Sequence, residues 1–147
     1  MATMTAAARR AEARSAYDAF LRDCPTSLLM ARIGDKWVGL VVGVLRDSGG
    51  TGLRYSDLGR AIPGVSQKML TQTLRSLERD GLVSRTVTPS VPARVDYALT
   101  PLGEGLGDLL AAVKDWADGH FGEIHAAREA YDRDRAAEEG TAVSGAA

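Results

Sequence analysis

The stretch "GVSQKMLTQTLRSLERDGLV", residues 64–83, reads as one capped amphipathic helix, and its two faces decide how the chain is organised. Ser66 is placed to cap the helix, and Gly81 to end it in a left-handed turn. With Leu70 set at zero and about 100° per residue, Leu74 and Leu77 fall within about 40° and Thr73 within about 60°. These side chains face a core. Lys68, Gln72, Arg75 and Arg79 gather on the opposite side, with Thr71 on its edge.

Working outward, "LRYSDLGRAIPG" (residues 53–64) carries a short helix, with Ser56 as its expected cap and Ile62 as its end. Pro63-Gly64 breaks it sharply. Two short helices across a tight turn form a helix-turn-helix pattern. Behind them, "LVSRTVT" and "RVDYALT" are strand-type runs around "PSVPA". Pro89 and Pro92 cannot both sit in a paired ladder and belong to the hairpin loop. The predicted fold is mainly α with a small β-hairpin wing: a winged helix-turn-helix, dimerising through N- and C-terminal helices.

The flanks are helical too. Residues 5–23 are rich in helix formers, with Tyr17, Phe20 and Leu21 as an apolar patch. Pro25 suits a first helical turn, and Gly34-Asp35 reads as a break with a cap. Ile33, Trp37, Leu40, Val41 and Val44 keep helical spacing until Gly49-Gly50. Thr100-Pro101 opens a last helix whose Leu102, Leu106, Leu109, Val113 and Trp116 recur at steps of 4, 3, 4 and 3. That short heptad-like seam suits another helix. Gly103, Gly105 and Gly107 weaken its start by on the order of 1 kcal/mol each relative to Ala, which leaves close helix approach or fraying as the reason. From about residue 126 the apolar content falls, and a frayed helix with a loose tail is expected. The divisions are an N-terminal helix and dimerisation arm (1–23), a DNA-binding domain (24–100), a C-terminal dimerisation helix (101–125) and the tail (126–147). A dimer buries Phe20 with the seam from Leu102 through Leu106, Leu109 and Val113 to Trp116.

The formal net charge of −1 averages unlike parts. Residues 54–94 carry seven basic side chains (Arg54, Arg60, Lys68, Arg75, Arg79, Arg85, Arg94) against Asp57, Glu78 and Asp80, a local +4 in a remainder of −5. Such asymmetry points to a polyanion at one face. Gln pairs bidentately with adenine, and Arg or Lys with guanine. In a helix-turn-helix the N-terminal part of the second helix enters the major groove, which makes Ser66, Gln67, Lys68, Thr71, Gln72 and Arg75 the candidate DNA-binding residues. Arg94, with Arg85, is in reach of backbone or the adjacent minor groove. The competing class is a winged-helix module that binds protein.

No apolar run approaches the roughly 20 residues of a membrane span, and no signal peptide is visible. Phosphate loop, nucleophile elbow, zinc-protease motif and Cys-x-x-Cys are all missing. His120 and His125 lie about 140° apart on a helix, too far to share a metal. No enzyme, cofactor or metal is expected. Trp37 and Trp116 are read as core and interface residues, with an effector pocket between helices as the open alternative. The lone Cys24 excludes an intrachain disulfide and fits a reducing compartment, the cytoplasm. Preceding Pro25 at a helix N-terminus, its thiol gains thiolate character. Arg22 adds to this and Asp23 opposes it. A small buried hydrophobe is the other reading of Cys24.

The segments "CPTSLLMARIGDKWVGLVVGVL", "LRYSDLGRAIPGVSQKMLTQTLRSLERDGLVSRTV" and "PSVPARVDYALTPLG" resemble the HxlR-type family of bacterial winged-helix regulators, related to the MarR group. The likeness covers residues 24 to about 120. It implies a homodimer built from terminal helices on a pseudo-palindromic operator near promoters, with repression as the usual outcome. It also implies a recognition helix beginning at Ser66 and a wing around Pro89 to Arg94. In several members a cysteine before proline at this place senses quinones, aldehydes or oxidants, which makes Cys24 the candidate redox-sensing residue.

Overall fold

A computed structural model of the chain describes residues 4–145. Its described part divides after Gly107 into two compact units. The first opens with α1 (Ala6–Asp23), capped by Thr5, whose hydroxyl accepts from the Ala8 N–H at 3.2 Å. α1 buries none of its residues and packs on α2 (Pro25–Ile33), which has Pro25 in its first turn. Asp35 caps α3 (Lys36–Asp47) by accepting from the Trp37 N–H at 2.8 Å.

The buried face of α3 is Val38, Val41, Val42 and Leu45. It is turned away from the Trp37, Leu40 and Val44 line, since Trp37 and Val44 are half-buried and Leu40 is exposed. α3 is apolar nearly all round, so composition cannot single out its inner face. Against it pack α4 (Tyr55–Ala61), through Leu58, and α5 (Gln67–Arg79), through Leu70, Thr73, Leu74 and Leu77. Ile62 and Val83 complete the same core.

The helix-turn-helix is therefore α4 and α5, with one correction at its start. α4 begins at Tyr55, and Arg54 stands at the cap position without a side-chain cap bond, so Ser56 is inside the helix. The cap of α5 is Ser66 as expected, accepting from the Met69 N–H at 3.1 Å. Gly81 follows the helix with φ of 73°, a conformation that carries no Cβ penalty for glycine.

β2 (Val83–Thr88) and β3 (Arg94–Leu99) form the antiparallel wing, with Pro89 and Pro92 in its loop. A third strand joins them. β1 (Leu53–Arg54) pairs with β3 through Leu53–Tyr97 and Arg54–Asp96, giving the sheet order β1-β3-β2. Alternation puts Val83, Arg85 and Val87 on one face with Val95, Tyr97 and Leu99, and Arg94 with Asp96 on the other.

The last helix, α6 (Pro101–Ser144), corrects two expectations. Leu106 is only 8% exposed and belongs to the chain's own core, not to a dimer seam. The cause is the close approach that two glycines permit. A Cβ on Gly103 would lie 2.0 Å from the Leu82 carbonyl oxygen, and one on Gly107 3.1 Å from Arg46 Cδ, whereas Gly105 meets nothing. Secondly, residues 126–144 continue the helix. Ala, Glu and Arg are strong helix formers that extend an already nucleated helix one backbone bond at a time, with an Arg135–Glu139 pair at 3.9 Å on its surface.

Candidate nucleic-acid interface

α5 presents Gln67, Lys68, Gln72 and Arg75 as exposed side chains, beside the exposed cap Ser66. None of those four side chains hydrogen-bonds or ion-pairs with another described residue. Thr71 differs. Its Oγ1 lies 3.0 Å from the Tyr55 phenol oxygen, which also donates to the Gln67 carbonyl at 2.9 Å. A phenol has one hydrogen, so with that hydrogen on the carbonyl, Thr71 must donate to Tyr55. Tyr55 thus ties the start of α4 to the first turns of α5 and occupies the Thr71 hydroxyl. Spacing gives no sign of this tie, because Tyr55 reads as an ordinary helix-start aromatic.

On the wing, Arg94 Nε donates to both carboxylate oxygens of Asp96, at 2.8 and 3.1 Å. It is engaged before any anion arrives. Arg85 stands on the other wing face, where it borders one recess with Arg75, Glu78 and Tyr97. Helix and wing thus bring two guanidinium groups to one side.

Cys24 is half-buried where α1 ends and α2 begins. The backbone N–H groups of Ser27 and then Thr26 lower its pKa, partial burial works against them, and the Thr26 hydroxyl assists. At the other end of α2, Arg32 Nε donates to Asp80 Oδ2 at 2.8 Å and Nη2 to the Ser76 carbonyl at 3.3 Å. Arg32 so clamps the C-terminal turn of α5. One nine-residue helix connects the thiol to the helix that carries the cationic face.

The remaining candidates are simpler. Lys36 Nζ sits 4.5 Å above the Trp37 ring. His120 stacks on Trp116 at 4.6 Å, while His125 meets Phe121 edge-on at 5.2 Å. Among the described residues no group of three or more His, Cys, Asp or Glu side chains is disposed to hold a metal. Among them, too, no helix is long and apolar enough to cross a membrane. Phe20, Leu102, Leu109, Val113 and Trp116 are exposed.

Against known proteins, residues 32–125 match the family described as HxlR-like helix-turn-helix. The HTH-type transcriptional regulator YtfH of Escherichia coli (strain K12) is 42% identical over 110 residues, covering 75% of this chain and 85% of that protein. The structure resembles that of the transcriptional regulator ytfH from Salmonella typhimurium, with a TM-score of 0.63 and 41% identity over 74% of this chain and 94% of the other. It also resembles the redox regulator HypR in its oxidized form, with a TM-score of 0.59 and 35% identity over 65% and 96% of the two chains.

Proposed function

Because the chain belongs to the HxlR-like helix-turn-helix family of transcriptional regulators, we propose that it binds a pseudo-palindromic DNA operator as a cytoplasmic homodimer, represses from it, and is released when Cys24 is modified. The observation that carries DNA binding is the amide and cationic face of α5: Gln67, Lys68, Gln72 and Arg75, exposed and without side-chain partners among the described residues. Polar groups of these types match base edges, and their charges match phosphate. Phosphate contacts supply most of the affinity, and Gln72, Lys68 and Arg75 read bases. Two copies related by a two-fold axis place two such helices about 34 Å apart, one DNA turn.

The switch reading is supported by the thiolate-favouring site at the start of α2 and by the likeness to a redox regulator. An adduct on Cys24 displaces α2, and Arg32 passes that displacement to the end of α5. A small shift matters because both half-sites must fit at once. With one cysteine per chain, the modification is an alkylation, a mixed disulfide or a Cys24–Cys24 bridge between subunits. The test is a gel shift on DNA upstream of the chain's own gene, with and without diamide. Wild type is expected to lose the shifted band on oxidation and Cys24→Ser to keep it. Release of Cys24→Ser by diamide would remove the switch and leave DNA binding standing.

A further inference from the structure

The polar side chains on the outer face of α5 differ in what they can offer a base. Lys68 and Arg75 only donate, and the Gln67 and Gln72 amides can turn to donate or accept. Ser66 accepts from the Met69 N–H and keeps its own hydrogen to give. Thr71 has the reverse polarity. The Tyr55 phenol gives its hydrogen to the Gln67 carbonyl at 2.9 Å, so the Thr71 hydroxyl gives its one hydrogen to the phenol oxygen at 3.0 Å. What is left on Thr71 Oγ1 is lone pairs. Thr71 is half-buried and stands one helical turn from the exposed Gln67, Lys68 and Arg75. Tyr55 is half-buried as well. One turn further along α4, a Cβ on Gly59 would lie 3.8 Å from Leu70 Cδ2, so the two helices also meet there. That contact holds the phenol in place, and the Thr71 hydroxyl with it.

Resting on the reading of α5 as the DNA-facing helix, we propose that Tyr55 is a positioning residue for base selection: it makes Thr71 an acceptor-only contact, so the base beneath Thr71 must carry a donor. In the major groove adenine presents its N6 amino group and cytosine its N4 amino group, whereas guanine presents the acceptors O6 and N7 and no donor. An acceptor facing guanine sets lone pairs against lone pairs and leaves polar atoms unpaired in the closed interface. Thymine falls between, because its O4 is an acceptor but its methyl group suits the threonine methyl. Lys68 and Arg75 pull the other way, since both suit guanine. Among the six candidate residues of this face, Thr71 is the point where guanine is refused. It separates sequences that donors alone would accept equally, which is specificity gained by rejecting the wrong partner. Without the phenol, the Thr71 hydroxyl has a hydrogen to give again, and guanine becomes acceptable. Tyr55 acts on the choice of base through Thr71 and needs no contact with DNA of its own.

The test selects duplexes from a random-sequence pool with the full chain as wild type, Tyr55→Phe, Thr71→Val and the double variant. Phe keeps the ring and Val keeps the branching, so each change removes a hydroxyl. Wild type is expected to enrich adenine or cytosine at one position of each half-site and to disfavour guanine there by about tenfold. Tyr55→Phe is expected to raise guanine at that position alone, and Thr71→Val to lose the preference for a donor there. In the Thr71→Val background, Tyr55→Phe is expected to change base preference no further, because the hydroxyl through which it acts is gone. A merely structural phenol would lower affinity for all sequences alike and leave the base profile in place. Thr71→Val decides the case by itself if Tyr55→Phe folds poorly. An unchanged profile in folded Tyr55→Phe, or a Thr71→Val protein that keeps the wild-type preference, overturns the inference and leaves DNA binding standing. Retention of duplexes by wild type without enrichment of any sequence does the same. Retention of no duplex at all overturns DNA binding and this inference together.

Discussion

α5 and α6 each leave a face uncovered, and these two faces are opposite in kind. α5 buries Leu70, Thr73, Leu74 and Leu77 and is left with amide and cationic side chains outside. α6 beyond Gly107 is left with Leu109, Val113, Trp116 and Tyr131 outside. Uncovered charge costs nothing in water, so a face like that of α5 is stable alone and suits an exchangeable polyanion. Uncovered aromatic and aliphatic area is the usual mark of an obligate or long-lived protein contact. Under the proposed function the two leftover surfaces divide the work, with α5 for the operator and α6 for a second copy.

The largest effect that sharpens this contrast is on folding. Leu74→Ala empties a site only 1% exposed and is expected to lower unfolding free energy by about 2–5 kcal/mol, read by urea titration. Val113→Ala, on the open face of α6, is expected to leave the stability of each subunit nearly unchanged and to weaken self-association. Equal losses from both would mean that α6 beyond Gly107 packs on its own chain. Next in size, Arg75→Ala is expected to cost about 1–3 kcal/mol of operator affinity if its contact is to a base. Arg94→Ala is expected to cost less, because Arg94 must first leave Asp96. Fluorescence anisotropy with the operator measures both, and the reverse order would shift the principal contact from α5 to the wing. The smallest effect is at Cys24. Its lowered pKa means that alkylation by iodoacetamide rises with pH and levels off below the range of an unperturbed thiol. A plateau only at the ordinary thiol range would return Cys24 to a packing role.

The helix-turn-helix and wing were legible because each signal there is local. Ser66, Gly81, Thr100-Pro101 and the paired prolines act within one turn of themselves, and the α5 stripe has only one apolar side. Long-range geometry was not legible. β1 is two residues long and exists only because β3 lies beside it. Arg32 finds Asp80 across 48 residues, and Tyr55 finds Thr71 across 16. α3 shows apolar residues on both sides, so its inner face is chosen by packing. Leu106 fits a heptad step as well as a core position, and the contact at Gly103 that draws it inward is made with Leu82. The C-terminal stretch was misread for another reason: scarce apolar residues argue against a core but not against an isolated helix.

The central claim is that α5 faces a duplex, and the salt dependence of binding tests it most directly. With DNA from upstream of the gene, log K against log salt is expected to fall linearly, with a slope of about −0.9 per phosphate neutralised. Lys68→Ala should flatten that slope by about one contact. A flat line for the wild-type protein, or a slope indifferent to Lys68, would contradict the account.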